Sequence, residues 1–219
     1  MTSLYHALKS VREGKPSVSS AIDIVHLSIL CWTRESIKIE VELCGMLMIS
    51  GVQYTYSMDI QIYGKPVLSA VAEPVKEITP ELLAILDEMV PMLTTHRGVG
   101  LAAPQVGISQ RFFVMNAGDK LRKVINPEIV KTGSAQAEME EGCLSVPGIH
   151  KRVRRPKRIT VRYTNEAGET VEEELKDFPA RVFQHEYDHL DGVLFVDRLT
   201  PVARKLIGRQ LEALKEETA

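Results

Sequence analysis

The sequence predicts an α+β fold in which strands surround one buried helix, and three observations carry that expectation. Two alternating segments, R-I-T-V-R-Y-T (158–164) and T-V-E-E-E-L (170–175), flank N-E-A-G and read as a β-hairpin with a longer loop. The short strands F-F-V-M (112–115) and K-V-I-N-P (123–127) precede them with no helical pattern between. Beyond a polar N-terminal start that also allows a helix, helical spacing is found in a segment after Pro80, one from about Pro179 to about Leu190, and the C-terminal tail. A doubly wound parallel sheet would alternate strand with helix, and this chain does not.

The 219 residues, 44% hydrophobic, suffice for one domain plus an appendage or for two small domains. A formal charge of -2 gives no global attraction to nucleic acid or to an anionic membrane. Cys31, Cys44 and Cys143 are an odd set in a chain without a secretory signal, which argues for a reducing compartment, the cytoplasm, and leaves a thiol free to act as a ligand. The longest apolar stretch near the N-terminus, A-I-D-I-V-H-L-S-I-L-C-W (21–32), is too short to span a bilayer and contains Asp23 and His26. No membrane helix is expected. The first twenty residues are serine-rich and carry Lys9, Arg12 and Lys15 against one acid, Glu13, so a plastid or mitochondrial transit peptide is the alternative address.

Residues 1–57 hold no chemical motif. Ile37–Leu43, I-K-I-E-V-E-L, alternates strictly and reads as a half-buried strand. The segment reads as a native extension, a targeting segment, or sequence upstream of a true start at Met58, the last being preferred. From Met58 an irregular lead-in punctuated by Gly64 and Pro66 reaches Thr79-Pro80, an N-cap followed by proline at the first helical position. Leu82, Leu83, Leu86, Met89, Val90 and Leu93 then recur at helical spacing. Pro91 lacks a backbone donor and is expected to kink or end this helix. The loop T-T-H-R-G-V-G-L-A-A-P-Q-V-G (94–107) follows, then the short strands, a polar hinge and E-E-G-C-L-S-V-P-G (140–148). The tail, Pro201 to Glu217, reads as one amphipathic helix with Leu206, Ile207, Leu211 and Leu214 on its apolar face.

Chemistry concentrates in Q-H-E-Y-D-H-L-D-G (184–192). On a helix, His185 and His189 share a face one turn apart with Glu186 beside them, the geometry of a metal site. The plain alternative is a solvated helix with an acid–base pair. Against it, Phe183, Tyr187, Leu190 and the following V-L-F embed the motif in apolar surroundings, where unpartnered His and Glu are costly. No histidine follows His189 to supply a third ligand. Glu212 stays formally open, although it falls on the polar side of a lysine-rich helix. Cys143, in E-G-C-L-S, is the preferred candidate, with the fourth position open to water. In G-V-G-L-A-A-P-Q, Gly98, Gly100 and Ala103 match a dinucleotide fingerprint, but a helix precedes it and Pro104 follows at once, the wrong context. The loop reads either as tight small-residue packing or as a wall that a substrate backbone can approach, with the Gln105 amide able to donate to a developing oxyanion.

Together, G-V-G-L-A-A-P-Q (98–105), E-G-C-L-S (141–145) and Q-H-E-Y-D-H-L-D-G (184–192), in this order, resemble the three motifs of the peptide deformylase family. The resemblance covers Met58 to about Ala219 and leaves out 1–57. It implies antiparallel or mixed sheets around a central helix carrying the H-E-x-x-H motif. It also implies one divalent metal on Cys143, His185 and His189, Fe(II) first, with Zn(II), Ni(II) or Co(II) as substitutes that this donor set accepts. The implied reaction removes the N-formyl group from the initiator methionine of nascent peptides, with Glu186 moving the proton and Gln105 and the Leu144 N–H stabilising the oxyanion. Substrate would lie extended beside Val99 and Gly100, its methionine in a pocket lined by Val99, Leu144 and the motif helix. Pro91 is unusual for the family, and His150 stands on the substrate rim where many relatives carry arginine.

A general metallopeptidase would use the same Glu186, and Cys143 with the glycine loop discriminates against it. K-R-V-R-R-P-K-R (151–158), six basic residues in eight, and the terminal helix with Arg204, Lys205 and Arg209 are candidate ribosome or RNA contacts. The run lacks interleaved aromatics, which favours a solvated hairpin rim.

Overall fold

The computed structural model describes residues 58–118 and 120–218. The strand expected at 37–43 and every reading of 1–57 lie outside them. Helix α1 (Pro80–Thr95) starts as the sequence indicates, with the Thr79 hydroxyl accepting from the Leu82 N–H at 3.3 Å. Leu82, Leu86, Met89 and Leu93 are buried along one face. Pro91 does not end the helix, which runs on to Thr95; the ring is exposed, and buried Met89 and Leu93 hold the turn across the missing bond.

Seven strands follow: β1 (Gly100–Ala102), β2 (Phe112–Asn116), β3 (Leu121–Thr132), β4 (Gln136–Cys143), β5 (Val146–Pro156), β6 (Arg158–Thr164) and β7 (Thr170–Lys176). Five form an antiparallel sheet in the order β1-β2-β3-β6-β7, and β4 with β5 forms a separate antiparallel ribbon. The F-F-V-M run of β2 is apolar throughout because both its faces are covered. Phe112 and Val114 pack with Leu86, Met89 and Leu93 of α1, whereas Phe113 and Met115 pack with Ala180, Val182 and Phe183 of α2 (Asp177–Leu190). Phe113 meets Phe183 edge-on, with ring centroids 5.1 Å apart. Asn126 takes a left-handed φ of 49° inside β3, and its amide exchanges two 2.8 Å bonds with the Val75 backbone, tying the lead-in to the sheet.

α2 leaves β7 directly and begins two residues before the expected Pro179. The C-terminal tail is two helices, α3 (Pro201–Leu206) and α4 (Gly208–Thr218), and not one. The chain turns at Ile207 so that Ile207 and Leu211 bury against Val146, Ile149 and Val153 of the ribbon, which leaves Leu206 78% exposed and off the apolar face. No helix among the described residues is long and apolar enough to cross a membrane. The fold is thus α+β with antiparallel sheets.

Candidate metal centre

The ribbon and α2 together build the site. Cys143 ends β4 just before the turn at Leu144 and Ser145, while His185 and His189 occupy successive turns of α2. Their ligand atoms lie within 4.8 Å of one another, and Cys143 Sγ is 3.3 Å from His189 Nε2. No other such grouping of His, Cys, Asp and Glu occurs among the described residues. Glu212 is excluded by position, since it sits exposed on α4 and pairs with Lys215.

Two of the three ligands are set by a partner, His185 by Glu141 and Cys143 by Gln105, whereas His189 Nδ1 is buried without one. Glu141 Oε2 lies 3.0 Å from His185 Nδ1 and so turns Nε2 toward the metal position. Burial opposes the charge, but hydrogen bonds to Cys143 and Glu141 raise the metal-free imidazole well above its usual value, so a cation would take the place of the Nε2 proton. Glu141 stands two residues before Cys143, on the same face of β4. Both of its oxygens are saturated: Arg155 binds them bidentately at 2.7 and 2.9 Å, and Arg181 adds a bond at 2.8 Å. Arg155 continues to Asp188 Oδ2 at 2.6 Å, and Arg198 closes on Asp188 from the surface. Burial alone would raise the Glu141 carboxyl, but hydrogen bonds from His185 and Arg155 outweigh it and hold the group well below the usual carboxylate range. Burial, reinforced by the charges of His185 and Arg155, keeps His189 well below the usual imidazole value, in the neutral form that ligates.

Glu186 is treated differently. It is 3% exposed, Oε2 has no hydrogen-bond partner, and burial pushes its carboxyl up to about 7. Gly100 makes room for it: a Cβ there would stand 2.2 Å from Glu186 Oε1. Gln105 is 2% exposed and its orientation is fixed. Its Oε1 accepts from the Ala102 N–H at 2.8 Å, which turns Nε2 toward Cys143 Sγ at 3.4 Å and Ser145 Oγ at 3.2 Å.

A cavity of about 550 Å³ opens over these groups, with Cys143, His185 and Glu186 among its lining and Val99, Gly100, Leu144, Phe178 and Val182 on its walls. His189 lies behind the lining. Val99, Gly100, Gln105, Cys143, Leu144, His185, Glu186 and His189, all singled out from the sequence, therefore fall in or against one site, and Glu212 does not. The sequence reading missed Phe178 and the Glu141–Arg155–Arg181–Asp188–Arg198 network. Reading 136–143 as a strand would have placed Glu141 beside Cys143, but the segment's charges masked its period. The basic run also changes meaning. β5 alternates, so Val153 and Arg155 point inward while Arg152 and Arg154 face solvent opposite Glu140 and Glu138. It is not a six-cation surface.

The donor set fits one divalent cation: a thiolate and two imidazoles at mutual distances suited to tetrahedral ligation, with an unpartnered buried carboxylate oxygen beside them. Residues 57–205 match the family model described as polypeptide deformylase. A peptide deformylase of Fusobacterium nucleatum is 51% identical over 162 residues, which cover 73% of this chain and 93% of that relative. The crystal structure of peptide deformylase from Thermotoga maritima superposes with a TM-score of 0.65 at 50% identity, covering 67% of this chain and 99% of that one. A plant peptide deformylase structure gives a TM-score of 0.72 at 36% identity, with 77% and 94% coverage.

Proposed function

The chain belongs to the polypeptide deformylase family, and on that premise we propose how its residues divide the labour of hydrolysing the formyl group from formylmethionine at the start of nascent polypeptides. The catalytic domain is residues 58–219, with α2 as its motif helix. Cys143, His185 and His189 would hold the single divalent cation, and the resemblance favours Fe(II). When bound, that cation lowers the pKa of water and polarises a carbonyl as a Lewis acid.

The protein's own groups supply the rest. Glu186 takes a proton from the attacking water as the oxygen adds to the formyl carbon, and gives it to the departing nitrogen as the C–N bond breaks, yielding formate and a free amine. Glu186 Oε2, buried and without a hydrogen-bond partner, is the protein atom free to accept that proton and return it. The Gln105 Nε2 and the Leu144 N–H donate to the oxygen as it gains charge. Substrate lies extended along Val99 and Gly100, and its methionine side chain enters the pocket formed by Val99, Leu144, Phe178 and Val182. A general metallopeptidase is not favoured, because the relatives are deformylases over nearly their full length. For a ribosome contact, exposed Lys205 and Arg209 are better placed than the 151–158 run, where Arg155 is buried, or than Arg204, which Asp197 holds at 2.5 Å. We assign the activity to the cytoplasm, with an organelle address in 1–57 as the alternative.

The single observation that carries this reading is buried Glu186, with an unpartnered oxygen, beside a Cys-His-His donor set under a glycine that alone leaves it room. The test is formate release from formyl-Met-Ala-Ser under anaerobic conditions, with metal content measured in parallel. Glu186→Ala should keep its metal and lose about 100- to 10,000-fold in turnover. Equal rates in the two proteins would refute the assignment.

A further inference from the structure

The mouth of the cavity carries groups that the reaction above does not use. Arg97, two residues past the end of α1, takes the left-handed region at φ 54°, where glycine or asparagine is the easier choice. Its N–H bonds to the Thr94 carbonyl at 3.2 Å and the Gly98 N–H to Leu93 at 2.8 Å, so this backbone is held and not frayed. The side chain lines the cavity, is exposed, and makes no ion pair among the described residues. Across the mouth, His150 of β5 rests against bare backbone at Gly142, where a Cβ would come 2.6 Å from its ring. His96 completes the rim, and Glu140 is its exposed acid. Deeper in, Glu141, Arg181 and His185 are already committed to one another. A strained arginine with an unspent charge at a substrate mouth calls for a ligand.

A strand laid between the free edge of β1 and the ribbon points successive side chains to opposite sides, so only the first sends its side chain straight into the methionine pocket. The residues after it reach the rim. We propose that Arg97, with His150 donating from the opposite wall, selects nascent chains that carry a carboxylate one or two positions after formylmethionine. The proposal rests on the deformylase reading and deepens it.

The test compares kcat/KM for C-terminally amidated formyl-Met peptides bearing Ala, Asp or Lys at the second and third positions, at low and high salt. Wild type should prefer Asp over Ala by about two- to fivefold, mostly through KM, and salt should shrink the difference. Arg97→Glu should invert the order in favour of Lys, Arg97→Lys should retain the acidic preference, and His150→Ala should narrow it. An Asp-to-Ala ratio unchanged in Arg97→Glu overturns the proposal. So does a preference seen only when the Ala peptide carries a free terminal carboxylate, which would place recognition at the chain end and not at a side chain. Absence of formate from every peptide, with metal bound, would instead overturn the deformylase reading.

Discussion

Glu141 and Glu140 are neighbours on β4, and they face opposite sides of the ribbon. Glu141 turns inward to the cavity floor, where two arginines and a histidine saturate it. Glu140 turns outward to the rim, in register with Arg152 and open to water. The floor fixes positions: Glu141 orients His185, Arg155 carries the tie on to Asp188 between the two histidines, and the ligands cannot shift singly. The rim fixes little, since its charges keep their hydration and are free to meet whatever passes. Identical side chains therefore supply rigidity at one depth and a hydrated, uncommitted charge at another, and burial decides which.

The largest break in that comparison comes from Glu141→Ala. It strands Arg155 and Arg181 without their shared carboxylate in a buried setting, and loss of one partner from such a network costs about 3–5 kcal/mol. It also frees His185 Nδ1, so metal affinity should fall by about 10- to 100-fold. Urea unfolding and competition with a chelator measure the two effects. A loss under about 1 kcal/mol would mean that water enters and solvates the arginines, and that the floor is no more rigid than the rim.

The five-stranded sheet was largely legible in the sequence because its period is simple. β6 and β7 alternate, β2 is apolar on both faces, and α1 has a helical stripe with a Thr-Pro start. The ribbon was not, because its inward positions include Glu141 and Arg155, which read as surface residues until each is seen to face the other. Periodicity records the difference between apolar and polar, and a buried ion pair erases that difference. The site shows the same division. The ligands and Glu186 stand in motifs whose spacing implies chemistry, whereas Arg155 and Asp188 act only through tertiary contacts. The break at Ile207 was invisible for a related reason: helical spacing continues through it, and only packing against the ribbon pulls Ile207 inward and leaves Leu206 out.

A second effect contrasts two carboxyls on the same floor. Burial raises Glu186 from an ordinary 4.5 to about 7, so the metal-free fold favours its protonated form. That contribution is fully present below about pH 4.5 and is lost as pH rises through about 7. Glu141 has the opposite sign: its depressed pKa gives stability that is present above the ordinary carboxylate value and lost only in stronger acid. Metal-stripped wild type should therefore lose about 3 kcal/mol relative to Glu186→Gln between pH 4.5 and 8. Urea unfolding of both proteins across that range checks it. Parallel curves would show that Glu186 reaches solvent in the metal-free state.

The smallest effect belongs to the rim and sharpens the contrast with Glu141. Glu140 stands across the ribbon from Arg152 in an antiparallel register, close enough for attraction, yet both side chains are exposed. The Coulomb gain is screened, and ordering two long side chains costs entropy, so the pair should contribute under about 1 kcal/mol. A double-mutant cycle on Glu140→Ala and Arg152→Ala at low and high salt isolates the coupling. A value that shrinks with salt fits a solvated rim, where charge remains available to a passing substrate. A coupling of about 3 kcal/mol that salt leaves untouched would instead mean that the rim is locked as the floor is, and Arg97 would be left as the mouth's one charge free to read a peptide.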